Sequence, residues 1–143
     1  NAIDFPRVYL EQDSYDFSFS GLKTAVLNYL NQMKQKGEDI VVKDVAASFQ
    51  QAVIEVLVEK TIRLAKERKS DKIVMAGGVA ANEGLRSLMK YKGKEEGIDI
   101  LYPSRVLCTD NAAMIGSAAY FHYKEGHTSD YYLNVEPNLE LKG

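Results

Sequence analysis

Apolar residues change period early in this chain. Tyr15, Phe17 and Phe19 alternate with Asp16, Ser18 and Ser20, the two-residue period of a half-buried strand. From Leu22 the period lengthens: Leu22, Val26, Leu27, Tyr29, Leu30 and Met33 recur at helical spacing, and Gly37 supplies a stop. A longer helix is predicted from about Lys43 to Lys69, with Asp44 near its start and a stripe that includes Val45, Phe49, Ala52, Val53, Val56, Leu57, Ile62 and Leu64. Val8 to Leu10 reads as a short strand. Downstream come an apolar strand (Ile73 to Ala76), a helix (about Asn82 to Lys92), a second strand (Ile98 to Tyr102) and a turn at Pro103-Ser104. A last helix is predicted from about Asp110 to Lys124, ahead of Gly126. From His127 onward there is no clear period, and no repeat or low-complexity segment is found.

A helix pair followed by β-α-β-α predicts an α/β fold with a partly parallel sheet. The natural divisions are an opening of short strands and helices (1–70), a β-α-β-α unit (71–126) and a tail (127–143). Two convincing strands make a thin sheet with exposed edges. The expectation is therefore part of a larger domain, in preference to a sheet completed by a partner. Length and composition agree with a globular chain: 143 residues, 45% hydrophobic and 27% charged. The net charge of −2 excludes a generally basic nucleic-acid binder, so any such contact needs a local patch. No apolar run approaches the roughly 18 residues of a membrane helix. Asn1 to Pro6 lack the basic start and apolar core of a signal peptide, and the absence of Met at the start reads as a fragment or processed piece. The single cysteine, Cys108, cannot form an internal disulfide, which fits a reducing cytoplasm.

Chemistry concentrates at the strand-to-helix joins, where ligands bind in parallel sheets. At Gly77-Gly78 two residues without Cβ allow close backbone approach, and a following helix N-terminus suits phosphate or carboxylate; a ligand-free tight turn is the competing account. Asn82 reads evenly as a helix N-cap or as a ligand hydrogen bond. Asp110 reads first as the cap of the last helix, and otherwise as a metal ligand bridging substrate phosphate. Cys108 reads as a small buried residue, since no histidine is placed to activate it. In Ser20-Gly21-Leu22-Lys23-Thr24, Lys23 meets the unfavourable end of a helix dipole, a misfit explained by solvation or by a nearby anion. His122 and His127, five apart, do not match two ligands on one helix face and read as surface residues. Lys60, Arg63, Lys66, Arg68 and Lys69, interleaved with Glu59 and Glu67, read as a solvated face, with a nucleic-acid contact the minority account. Tyr131-Tyr132 fit either a partner surface or a cover for the domain.

Three segments together resemble one family: Phe17-Ser18-Phe19-Ser20-Gly21-Leu22-Lys23-Thr24, Ala76-Gly77-Gly78-Val79-Ala80-Ala81-Asn82, and Cys108-Thr109-Asp110-Asn111-Ala112-Ala113-Met114-Ile115-Gly116. They are similar, in order and without large gaps, to the carboxy-terminal half of the tRNA threonylcarbamoyladenosine transferases (TsaD or Gcp, long described as O-sialoglycoprotein endopeptidases). The resemblance implies part of an ATPase domain of the actin-like, Hsp70 and sugar-kinase type, with a helical insertion. It implies transfer of the threonylcarbamoyl group from threonylcarbamoyl-adenylate to the adenosine beside the anticodon of tRNA. Asn82 would bind substrate, Gly77 and Gly78 would lie against the nucleotide, Asp110 would ligate one divalent metal ion, iron or zinc, and Ser20 and Lys23 would lie near the cleft. ATP is the other nucleotide ligand the resemblance allows. Implied partners are tRNA and the proteins of the bacterial modification complex, including a paralogous scaffold subunit, in the cytoplasm and without a membrane. Self-association is plausible from the thin sheet and the long amphipathic helix.

One departure matters: the family's metal site also uses a His-x-x-x-His pair, which this chain lacks. The chain alone is therefore expected to bind metal poorly and not to catalyse transfer. No Ser-His-Asp or Cys-His set is present, which fits attack by the adenosine amine on an already activated mixed anhydride and argues against a protease. Two rivals remain: a generic ATPase of the same fold, and a non-catalytic scaffold paralogue, which should have lost Asn82 and Asp110.

Overall fold

One long helix acts as the spine on which the rest of the first unit is laid. The computed structural model describes residues 2–9 and 14–138. Within them the elements run α1 (Ser20–Lys36), α2 (Val42–Glu67), β1 (Lys72–Val74), α3 (Glu83–Glu96), β2 (Asp99–Leu101) and α4 (Ala112–Lys124). The chain divides into two compact units after Cys108.

The spine, α2, is buried along more than one face. Ala52 joins Phe5 and Leu22 in a small cluster against α1. Ile54, Val58, Ile62 and Ala65 face a second cluster with Met75, Ala80, Leu85, Met89 and Ile98, from β1, α3 and their connections. The stops are those the glycines predict. Gly37 (φ 68°) and Gly97 (φ 69°) adopt the left-handed conformation and return their N–H groups to the last turns of α1 and α3.

The segment before α1 departs from expectation. Tyr15, Phe17 and Phe19 form no strand, and neither do Val8 and Tyr9; Leu10 lies outside the described residues. Instead the segment's described residues are strapped to α2 by polar side chains of that helix. Arg7 Nε donates to Glu55 Oε2 at 2.6 Å, and Tyr9 Oη donates to Glu59 Oε2 at 2.6 Å. Burial, reinforced by that hydrogen bond, pushes the Tyr9 phenol up to about 12. Lys60 Nζ donates to the Asp16 carbonyl at 2.5 Å, with the ammonium 5.9 Å from the Phe17 ring centroid. Arg63 donates to the Ser14 carbonyl and lies 4.7 Å from the Tyr15 ring centroid. The solvated-face reading therefore fails for Lys60, which is only 2% exposed. Tyr15 and Phe17 pair with cations on a helix rather than with another strand, while Phe19 stacks on Phe17.

β1 and β2 pair in parallel, Ile73 opposite Ile100 and Val74 opposite Leu101. Ile73 and Ile100 pack toward the core, where Gly93 of α3 lets the helix close on the strand: a Cβ there would sit 2.6 Å from Ile100 Cγ1. The other face is bare, with Val74 72% and Leu101 50% exposed. Parallel sheets are ordinarily covered on both faces, so this thin, half-covered sheet has the form expected of part of a larger α/β domain.

In the second unit, α4 carries Ile115, Phe121 and Tyr123 exposed, and none of its residues is buried. Its N-cap is Asn111, whose Oδ1 accepts from Met114 N–H at 3.0 Å. The helix thus begins two residues later than predicted, and the capping expected of Asp110 belongs to its neighbour. No helix of the described residues is long and apolar enough to cross a membrane.

Candidate functional site

The parallel pairing of β1 continues through Met75, whose N–H donates to Leu101 O at 2.8 Å, and then the chain turns at Gly77. Gly77 has φ 85° and ψ 169°, a backbone state that L side chains rarely adopt, and a Cβ built there meets nothing within 4 Å. The join is thus an exposed stretch of backbone at the carboxyl end of a parallel strand, open to close approach. Beyond it α3 starts where the sequence predicts, after a short turn that the sequence did not announce. Gly78–Ala81 form one turn of 3-10 helix, and α3 begins at Glu83. The positive end of α3 is therefore displaced from the glycines and already faces the Glu83 carboxylate in its first turn.

Asn82 is the cap of α3: its Oδ1 accepts from Leu85 N–H at 3.0 Å. Its Nδ2 donates to Gln50 Oε1 of α2 at 2.9 Å, so the same residue ties the turn to the spine. The two readings of Asn82 are compatible, because an amide nitrogen carries a second hydrogen. Asn82 and Gln50 border a cleft of about 310 Å³, whose walls include Phe49, Val53, Leu57 and Val79. Ser20 and Lys23 line an adjoining groove of about 430 Å³ with Phe19, Val26, Leu27 and again Phe49. Phe49, absent from the predicted site residues, is the wall common to both. Its place in the apolar stripe of α2 disguised it as an ordinary core position. The start of α1 has no side-chain cap and no acidic residue in its first turn, so Lys23 stands at an electropositive helix end.

Arg86 is the other residue the sequence did not announce. It is buried, its Nε donates to Ala80 O, and its Nη2 donates to Pro103 O at 2.9 Å and to Cys108 Sγ at 3.0 Å. The guanidinium lies 4.5 Å from the Tyr102 ring centroid. One side chain thus clamps the turn after β1 to the turn after β2. A second tie, Glu83 to Arg105, runs alongside it. The available signal was a cation near the start of a helix, the same misfit that marks Lys23. Cys108, held under Arg86 and 4% exposed, is the small buried residue that its context predicts.

A larger cavity, about 740 Å³, lies elsewhere, between α2 and α3 and lined by Tyr9, Glu55, Glu59, Arg63, Lys66 and Lys92 among others. Its charges are engaged in the strap or in pairs such as Lys66–Glu96 and Lys92–Glu95, which marks it as a structural seam.

Asp110 lies in the second unit, exposed, one residue ahead of the α4 cap. Among the described residues, the group of three or more potential metal ligands is His122, Glu125 and His127, and it does not include Asp110.

Residues 1–117 match the TsaD family, described as tRNA N6-adenosine threonylcarbamoyltransferase; that stretch contains all three of the motif segments. The chain is 55% identical over 141 residues to the tRNA N6-adenosine threonylcarbamoyltransferase of Clostridioides difficile strain 630, covering 99% of this chain and 42% of the relative. It is 56% identical over 142 residues to the protein of that name from Clostridium beijerinckii, again 99% and 42%, and 54% identical over 140 residues to the one from Clostridium botulinum strain Kyoto, 98% and 41%. The chain thus spans about two-fifths of the length of these relatives. With a glycine turn at the end of a parallel strand, a capping asparagine facing a cleft and near-complete coverage by these relatives, the chain belongs to the tRNA N6-adenosine threonylcarbamoyltransferase family.

Proposed function

We propose that this chain is the carboxy-terminal part of a tRNA N6-adenosine threonylcarbamoyltransferase, and that its own contribution is one wall of the nucleotide-binding cleft. The observation that carries this is the exposed Gly77 turn at the end of β1, with the Asn82 amide at the rim of the adjoining cleft. A glycine backbone open to solvent admits a bulky adenylate. Asn82 Nδ2 donates to it with its second hydrogen, while Oδ1 stays on the helix cap. The exposed Phe49 ring and Val79 offer apolar surface for a base, and Lys23 at the uncapped start of α1 offers charge for a phosphate.

The reaction proposed for the parent protein needs no side-chain nucleophile. The adenosine N6 amine attacks the threonylcarbamoyl carbonyl, the new C–N bond forms, the C–O bond to phosphate breaks, AMP leaves, and the amine proton passes to solvent. Residues of this chain bind and orient the adenylate so that this carbonyl is presented. The family's metal is a separate matter. Asp110 offers one carboxylate and belongs to no cluster of ligands among the described residues, so these residues alone do not fit a metal centre there.

The test is threonylcarbamoyl transfer to tRNA by the full-length parent with its partner proteins. Asn82→Asp keeps the capping oxygen but removes both amide hydrogens, the one on Gln50 and the one offered to the ligand. The fold should therefore hold with a melting temperature lowered by a few degrees, while activity falls about tenfold, the value of one ligand hydrogen bond. Unchanged activity would reduce Asn82 to a cap. Asp110→Ala, which takes away no cap, should abolish transfer if the family's metal role applies at this position.

A further inference from the structure

Histidines five residues apart cannot share one face of a helix, yet His122 and His127 meet. α4 ends at Lys124, Glu125 is its C-cap, and Gly126 adopts φ 79°. That left-handed residue turns the chain back so that His127 N–H donates to His122 O at 2.9 Å. The two imidazoles then face each other with Nδ1 to Nδ1 at 3.4 Å, and Glu125 Oε2 lies 3.7 Å from His127 Nδ1. One ligand atom from each of the three residues falls within 4.8 Å of the others, and all three residues are exposed.

We propose that His122, Glu125 and His127 form a binding site for a borderline divalent transition ion, of which Zn²⁺ is the representative. The first argument is metric. Zinc–nitrogen bonds of about 2.0–2.1 Å in a tetrahedron place two ligand nitrogens about 3.3–3.4 Å apart. The observed Nδ1 separation is 3.4 Å, so the spacing of the two nitrogens matches what one ion requires. The second is donor type: two imidazoles and a carboxylate suit zinc, nickel or copper over magnesium or calcium, and solvent exposure leaves positions for water. The third is the field. The site lies at the carboxyl end of α4, where the helix dipole favours a cation. The neighbouring cation, Lys124, has its ammonium 5.6 Å from the Tyr120 ring centroid. Asp110 precedes the opposite end of this 13-residue helix, about 20 Å away along its axis, so the two positions cannot share an ion. Bound metal would cross-link the last turn of α4 to the start of the tail and pin the chain at Gly126.

The test is titration of the chelator-treated, untagged 143-residue chain with ZnCl₂ by calorimetry, and with CoCl₂ by visible absorption. One Zn²⁺ per chain should bind saturably without competition from Mg²⁺. His122→Ala and His127→Ala should each weaken binding at least tenfold, and Asp110→Ala should leave it unchanged. All three positions are exposed, so circular dichroism should show the fold retained. Absence of saturable binding overturns the proposal: the rings are then simply hydrogen-bonded to each other. Binding that survives both histidine variants, that disappears in Asp110→Ala, or that appears only as one ion between two chains also overturns it.

Discussion

Single residues decide how the two strand-to-helix joins are held. Arg86 satisfies two backbone carbonyls that lie on different turns and covers the Cys108 sulfur. Arg86→Ala leaves those acceptors without their donor and opens a cavity, so it should cost about 2–4 kcal/mol in urea unfolding. Cys108 should react faster with a thiol reagent in the same variant; an unchanged rate would show that the clamp does not shield it. Glu55 makes a pH-dependent contribution. The Arg7 hydrogen bond holds its carboxyl below the ordinary value of 4.5. A depressed native value means the stabilisation is fully present above the unfolded value and is lost as pH falls through the native one. Melting temperature should therefore drop more steeply on acidification below about pH 4.5 in the wild type than in Glu55→Gln. Parallel curves would show that the pair adds nothing to acid sensitivity.

At the scale of elements, close approach sets the geometry. α3 lies on β2 because Gly93 has no Cβ to strike Ile100 and the Ile98 carbonyl, 2.6 and 2.8 Å from where it would stand. Gly93→Ala gains helix propensity yet should destabilise by about 1–3 kcal/mol through overpacking. A rise in melting temperature would mean that the helix shifts freely on the sheet. The helices were legible from their periods and glycine stops: α1, α2 and α3 lie within a few residues of expectation. The strap was not. Tyr15, Phe17 and Phe19 have a strand's alternation, and only the cations of α2, 44 positions away in the case of Lys60 and Asp16, turn it into something else.

The whole molecule has a bare sheet face, an apolar α4 without a buried residue, and a length about two-fifths of its relatives. We propose that the isolated chain is an incomplete catalyst. Purified alone and supplied with threonylcarbamoyl-adenylate and tRNA, it should produce no modified adenosine above background. Measurable transfer would show that every residue needed for the chemistry lies within these 143 positions.

What the sequence determined by itself is the set of helices, the two parallel strands and the three family segments, because each rests on local periodicity or on contiguous residues. Tertiary structure decided the roles. Asn82 both caps and ties, Asn111 caps in place of Asp110, Arg86 clamps two turns, and Lys60 is buried instead of solvated. The histidine pair shows the reason most plainly. A spacing rule holds only while the helix continues, and one left-handed glycine suffices to bring together side chains that the helical period keeps apart.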